Sequence, residues 1–390
     1  MSNAAAPDHR LTYDRRVRLL LDATAIPPDR GGVGRYVDAL LPALAARGVD
    51  LVVACQARDA VGTARLVPGA EIVTVPSWVT GRPARMAWEQ VGLPRLLRAT
   101  RVDLLHSPHY TMPRRAGVPV VVTLHDATFF SHPELHSPIK RRFFRAAIRT
   151  AVRRAAGIVV PSEATRDEVL RYVGGRREMF QVAYHGVDPT VFRPVSDAER
   201  AESRRALGLG DQRYIGFLGT LEPRKNVPAL VRGWVKAVGA LAAPPALVLA
   251  GGAGWDDAVQ PAIEAVPPHL RVVRAGYLPL SDLAGFLSGA ELVVYPSLGE
   301  GFGLPVLEAM SCGAAVLTTR QLSLPEVGGD AVAYCGTDDA GIAVALADLL
   351  ADDDRRAALS AAAVARAAGF TWEAAADAHI AAFEAALRHS

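Results

Sequence analysis

The stretch PSLGEGFGLPVLEAMSCG, residues 296–313, leaves a four-residue apolar run (Leu292, Val293, Val294, Tyr295) and enters an apolar pattern of helical period at Leu304, Leu307 and Met310. Strand, glycine loop and helix in that order form the repeating unit of a parallel sheet covered by helices, so the chain is confined to an α/β fold. Gly299, Gly301 and Gly303 have no Cβ, which lets the backbone turn sharply and come close to a ligand. Pro305 suits a first helical turn, where its missing N–H has no partner to lose. The loop N–H groups and the positive helix end then point at whatever lies above the strand, and an anion such as a diphosphate fits there. Glu300 stands at the helix mouth, with Glu308 roughly 5 Å further along the axis. Phosphate repels a carboxylate, so these acids suit hydroxyls flanking a diphosphate. A nucleotide sugar has that arrangement.

At 390 residues, half of them apolar, the chain has material for two cores. Strand candidates at 17–21, 51–54, 72–75, 104–106, 118–124, 158–160 and 180–182 alternate with helical segments. A second series runs through 214–218, 247–250, 272–274, 292–295 and 316–318. Between them, HGVDPTVFRPVSDAE loses periodicity and holds Pro189 and Pro194, which places a linker there. The expectation is two doubly wound, Rossmann-like parallel-sheet domains facing a cleft, one over 1–190 and one over 191–371. After Asp338 the chain is Ala-rich and helical; Gly369 interrupts it, and Thr371 suits the N-cap of a last helix.

Ligands of open α/β sheets bind beyond the carboxyl ends of the strands. At the first such exit, Gly31, Gly32 and Gly34 precede a helical pattern, but Val37 stands where a dinucleotide fingerprint needs glycine. Another exit carries His125 and Asp126. At the exit with His106, His109 and Tyr110, an acceptor contact and simple loop shaping are both open. The turn Gly219-Thr220-Leu221-Glu222-Pro223-Arg224-Lys225 brings two adjacent cations toward the cleft. Fixed positive groups there would meet the charge that develops on a departing diphosphate. Gly251-Gly252 and Gly276-Tyr277-Leu278 are the expected borders of a base pocket.

The E-x7-E element in EGFGLPVLEAM, the EPRKN turn and the HGVD linker resemble retaining glycosyltransferases of the GT-B fold, family 4, over nearly the whole chain from Val17. The resemblance implies that Glu300 contacts the transferred sugar and Glu308 the nucleotide ribose. It gives Arg224 and Lys225 to the donor phosphates and sets His125 near the reacting carbon. Gly31, Gly32, Gly219, Tyr277, Leu278, Gly301, Phe302, Gly303 and Leu304 line the donor site on the same ground. The chain departs from the pattern at His185, where the family most often has Asn, and at Thr220, where some relatives have Arg. A closing helix, 372–390, is implied to cross back to the first domain. FLGTLEPRKN with TLHDATFFSHPE looks most like bacterial mannosyltransferases of polysaccharide assembly. That puts GDP-mannose ahead of UDP-glucose and dTDP-rhamnose as donor. The implied reaction is hexose transfer to a hydroxyl of a saccharide or glycolipid, with retention through same-face attack. No D-x-D acid pair stands at a strand exit, so neither a metal nor a cofactor is expected. A nucleotide-sugar epimerase and a non-catalytic sugar-nucleotide-binding protein are the alternatives.

No apolar run approaches the roughly 20 residues of a membrane span. Residues 1–10 are polar and read as a leader without a secretory pattern. Cys55, Cys312 and Cys335 lack metal-type spacing, and a reducing cytoplasm is the expected compartment. Residues 1–195 hold 28 Lys+Arg against 17 Asp+Glu, or +11, and the remainder 15 against 23, or −8. The basic half suits phosphates on an acceptor or a membrane; nucleic acid is not an expected partner. Residues 140–154, KRRFFRAAIRTAVRR, carry Arg141, Arg145, Arg149 and Arg153 beside Phe144, Ile148 and Val152. This amphipathic basic helix offers either a peripheral membrane contact or a solvated face over the core.

Overall fold

In the computed structural model, which describes residues 17–28 and 30–388, the strands form two wholly parallel sheets. The expected leader lies outside the described residues. The first sheet comprises β1 (Arg18–Asp22), β2 (Asp50–Cys55), β3 (Glu71–Thr74), β4 (Leu104–Ser107), β5 (Val120–Thr123), β6 (Gly157–Val160) and β7 (Phe180–Val182), in the order β3-β2-β1-β4-β5-β6-β7. The second comprises β8 (Tyr214–Leu218), β9 (Ala246–Ala250), β10 (Val272–Gly276), β11 (Leu292–Tyr295), β12 (Val316–Thr319) and β13 (Ala333–Cys335), in the order β10-β9-β8-β11-β12-β13. Each sheet therefore reverses direction of growth once, beside β1 and beside β8, and a ligand crevice opens at such a switch point.

The strands read as apolar runs because both faces of each sheet are covered. Alternate residues serve opposite faces: Leu20, Val52, Leu105 and Val122 pack in one core cluster, Leu19, Leu21, Val53 and Leu104 in another. In the second domain Trp234, Phe217, Tyr214 and Phe286 anchor a single cluster. Two expectations shift. The run at 118–124 contracts to Val120–Thr123, because Pro119 has no N–H for the ladder and only its carbonyl pairs, with the Leu105 N–H at 3.0 Å. β13, three residues long, is too short to stand out as a pattern.

The chain crosses between the sheets twice, side by side. The Val187 N–H donates to Phe370 O at 3.1 Å, joining the outgoing linker to the returning segment. Gly186 is required there, since a Cβ would sit 2.2 Å from the backbone nitrogen of Trp372. Asp188 Oδ1 closes the linker turn, accepting from the Thr190 N–H at 2.8 Å and the Thr190 hydroxyl at 2.7 Å. Thr371 Oγ1 caps the closing helix (Trp372–Arg388) through the Ala374 N–H at 3.1 Å. This helix packs on β5, β6, β7 and the first helix (Gly31–Ala46), all in the first domain.

A buried polar chain ties the closing helix down. His379 Nδ1 is 2.6 Å from Ala375 O, which only accepts, so the ring proton is on Nδ1 and Nε2 accepts from the Tyr36 hydroxyl at 2.6 Å. Tyr36 in turn accepts from Thr123 Oγ1 at 3.0 Å, and Thr123 from His106 Nε2 at 2.8 Å. His106 is thus fully buried against the closing helix rather than open to an acceptor, one of the two roles its strand exit allowed. Tyr36→Phe leaves His379 and Thr123 short of a partner. A loss of about 1–3 kcal/mol is expected, read as a lower urea midpoint at unchanged slope; an unshifted midpoint would contradict the network.

Candidate functional site

Loops from the carboxyl ends of strands in both sheets meet around one cavity of about 450 Å³. Gly31 and Gly32 follow β1, His125 and Asp126 follow β5, and His185 follows β7. From the second domain come Gly219, Glu222, Arg224 and Lys225 after β8, Tyr277 and Leu278 after β10, and Glu300, Gly301, Phe302, Gly303 and Leu304 after β11. Of the residues singled out in the sequence for the sugar, phosphate and base, all line this cavity except Gly276, at the end of β10, and Glu308, which is buried behind it.

The β8 and β11 exits are stitched together. The Leu298 N–H donates to Arg224 O at 2.8 Å, and Ser297 Oγ lies 3.1 Å from the same carbonyl. Arg224 Nη1 bonds Gly299 O at 2.9 Å and also Glu300 Oε2, while Nη2 reaches Glu222 Oε1 at 2.7 Å. Lys225 Nζ donates to Glu300 Oε1 at 2.8 Å and to the Tyr295 hydroxyl. Tyr295 and Ser297 hydroxyls complete the Glu300 shell at 3.0 and 2.6 Å. Burial alone would raise the Glu300 carboxyl, but Arg224 and Lys225 outweigh it and hold it at about 2. Burial and the adjacent Arg224 push the Lys225 ammonium down. The sequence treated the acid and the two cations separately, as sugar and phosphate contacts. Here they form one buried ion cluster with Glu222 as a fourth member, which sequence spacing did not reveal.

The glycine loop turns its carbonyls away from the cavity. Gly301 O accepts from Ser162 Oγ at 2.7 Å and Thr165 Oγ1 at 3.1 Å, both from the first domain. Ser323 Oγ lies 2.8 Å from Glu300 O and from Phe302 O. Gly303, at φ 103°, takes the left-handed backbone that starts the helix Leu304–Ser311. Gly303 O accepts from the Val306 and Leu307 N–H groups at 3.0 and 3.2 Å, which closes the first turn.

On the opposite wall, His125 Nε2 is 2.7 Å from Pro108 O, so the proton sits on Nε2 and Nδ1 is left to accept. Burial holds this imidazole below its usual range. Tyr36 meets its ring edge-on at 5.1 Å. Tyr110, at φ 59°, accepts from the Asp126 N–H at 3.0 Å and packs on His109 and Phe144, so His109 and Tyr110 brace the loop that carries His125. Arg35, which sequence reasoning passed over, lines the cavity and pairs with Glu308.

Two family models match the chain, Glycosyltransferase Family 4 over residues 30–191 and Glycosyl transferases group 1 over residues 199–366. O-antigen chain mannosyltransferase B of Escherichia coli is 32% identical over 296 residues, which are 75% of this chain and 74% of that protein. This chain belongs to the family 4 glycosyltransferases. D-inositol 3-phosphate glycosyltransferase of Segniliparus rotundus, another relative, is 27% identical over 99% of this chain and 92% of its own. Among solved structures, Anabaena HepE in complex with UDP and glucose superposes with a TM-score of 0.76 at 20% identity, covering 95% of this chain and all of that one. WaaG, a glycosyltransferase involved in lipopolysaccharide biosynthesis, gives 0.73 at 16% identity, over 93% and 98%. The glycosyltransferase fold is GT-B, as the motifs implied. Among the described residues, no helix is long and apolar enough to cross a membrane.

Proposed function

We propose that this glycosyltransferase moves a hexose, mannose first, from a nucleoside diphosphate sugar to a hydroxyl of a saccharide or glycolipid, with retention and without a metal. One observation carries the reading: Arg224 and Lys225 converge on Glu300 beside the open N–H groups of the Gly301–Gly303 loop. In the proposed step the bond from the anomeric carbon to the β-phosphate oxygen breaks. The acceptor oxygen bonds that carbon on the same face, and its proton passes to the departing phosphate oxygen. Arg224 and Lys225 meet the charge released on the diphosphate, a role that a metal fills in other transferases. Glu300 holds sugar hydroxyls, and His125 accepts through Nδ1 near the reacting carbon. Retaining glycosidases instead use a carboxylate nucleophile about 5–5.5 Å from a second acid; Glu300 is engaged by two cations and suits positioning.

The relative at 32% identity is named an O-antigen chain mannosyltransferase, which supports mannose as the sugar, and we take GDP-mannose as the donor and a saccharide as the acceptor. A cytoplasmic enzyme of this kind could meet a glycolipid at a membrane. The helix Pro138–Arg154 leaves Arg142, Arg149, Arg153 and Arg154 exposed, while Arg145 is half-buried; Arg145 and Arg149 both lie over the Phe130 ring at 5.2 Å. The decisive experiment melts the protein with GDP, UDP and dTDP, then supplies the matching donors with and without acceptor saccharide in EDTA. GDP is expected to give the largest shift, and GDP-mannose to be consumed only with acceptor. A sugar isomer formed without acceptor would instead make the protein an epimerase; binding without transfer or hydrolysis would make it a binding protein.

A further inference from the structure

Glu308 lies inside the Leu304–Ser311 helix and is 1% exposed, where an unpaired carboxylate is costly. Its Oε1 is held by the Arg35 guanidinium, and its Oε2 is buried without a hydrogen-bond partner. Arg35 belongs to the other domain, in the first helix just after the glycine loop of β1. Its guanidinium also stacks over the linker ring of Phe192 at 5.5 Å. The Arg35 side chain is 36% exposed against 2% for Glu308, so the pair has one member in the cavity wall and one behind it.

We propose that Arg35 is a cross-domain positioning residue for the donor nucleotide: it fixes the Glu308 carboxylate so that Oε2 accepts from the ribose hydroxyls, and thereby makes nucleotide binding depend on a closed cleft. The inference rests on the nucleotide-sugar reading above. Three observations support it. Of the two carboxylate oxygens, Oε1 is held by Arg35 and Oε2, though buried, has no partner, so Oε2 is the one left to accept. The pair spans the two domains, so opening the cleft separates it and strands Glu308. Burial pushes the Glu308 carboxyl up, and Arg35 opposes this, so the closed cleft favours the charged acceptor, which makes the stronger hydrogen bond.

The test is a cycle between protein and ligand. Calorimetry on the full chain compares GDP with 2′,3′-dideoxy-GDP, and UDP with its dideoxy form in parallel, for the native protein, Arg35→Ala, Arg35→Lys, Glu308→Gln and the double variant Arg35→Ala/Glu308→Gln. Arg35→Ala is expected to weaken the preferred ribonucleotide roughly 10-fold, yet leave the dideoxy nucleotide, which has no hydroxyl to donate, bound as in the native protein. Arg35→Lys should recover part of the loss, and the double variant should bind no more weakly than the worse single one. Equal losses for both nucleotides would overturn the inference, because a direct phosphate contact or a mere interdomain strut acts regardless of the ribose. Unchanged ribonucleotide affinity in Arg35→Ala would overturn it too. If no nucleotide binds the native protein, the donor reading itself fails and this inference with it.

Discussion

Glu300→Gln is expected to lower sugar transfer at least a hundredfold while tightening the binding of the free nucleoside diphosphate. The two effects have opposite signs because Glu300 and a diphosphate compete for the same cations. Without ligand, Glu300 neutralises Arg224 and Lys225, with Lys225 Nζ at 2.8 Å. Glutamine leaves those cations to Glu222 alone, so an arriving diphosphate meets more uncompensated positive charge and one carboxylate fewer to repel it. Transfer falls for another reason. The sugar loses an ionised acceptor held rigid by Tyr295 and Ser297 at 3.0 and 2.6 Å, and losing one preorganised group of this kind costs about 10²–10³ in rate. Breaking one side of a buried ion cluster also destabilises the unliganded protein, by about 3–5 kcal/mol in comparable cases, and nucleotide should restore much of that. Melting with and without nucleotide, alongside turnover, separates the effects. Near-native turnover, or weaker nucleotide binding, would remove Glu300 from the role proposed for it.

What the sequence disclosed and what it hid follow from range. Strands buried on both faces must be apolar throughout, so runs such as Leu19-Leu20-Leu21 and Leu292–Tyr295 announce themselves locally. Chemistry at strand exits is equally local: the residues marked there for sugar, phosphate and base, Gly276 apart, line one cavity, whereas His106, His109 and Tyr110 do not. Partnerships are not local. Glu300 and its cations stand 76 and 75 positions apart, and Arg35 and Glu308 stand 273 apart. Each side chain was visible, but which charge it would neutralise depended on how the two sheets face each other. His106 and His125 illustrate the same limit. Both sit at strand exits, yet β4 turns the first inward against Phe383 of the closing helix, while the second lies past the end of β5 and opens to the cleft. The basic helix shows the same limit: periodicity placed its arginines on one face but gave no sign that Arg145 and Arg149 would lie over the Phe130 ring.

Gly301→Ala is expected to cut transfer about a hundredfold while leaving nucleotide binding by the second domain within a few-fold of native. A Cβ at this position would stand 1.7 Å from His125 O and 3.0 Å from Asp126 Cβ. The nearest obstruction is backbone of the first domain, so no rotamer change relieves it. Ordinary contact needs about 3.5 Å, and the domains must part by more than 1 Å to admit the methyl group. Parting them also weakens the bonds that Ser162 and Thr165 make to Gly301 O, at 2.7 and 3.1 Å. The second-domain cluster and the Arg224, Lys225 and Glu300 contacts lie on one side of this seam and keep their geometry. His125 lies on the other and withdraws from the sugar. A displacement of 1 Å between reacting groups is enough for a loss near 10²-fold. Turnover should therefore collapse while the nucleotide-induced melting shift persists. Loss of both together would place the damage inside the glycine loop, and retention of both would mean that turnover does not pass through a cleft closed as tightly as this one.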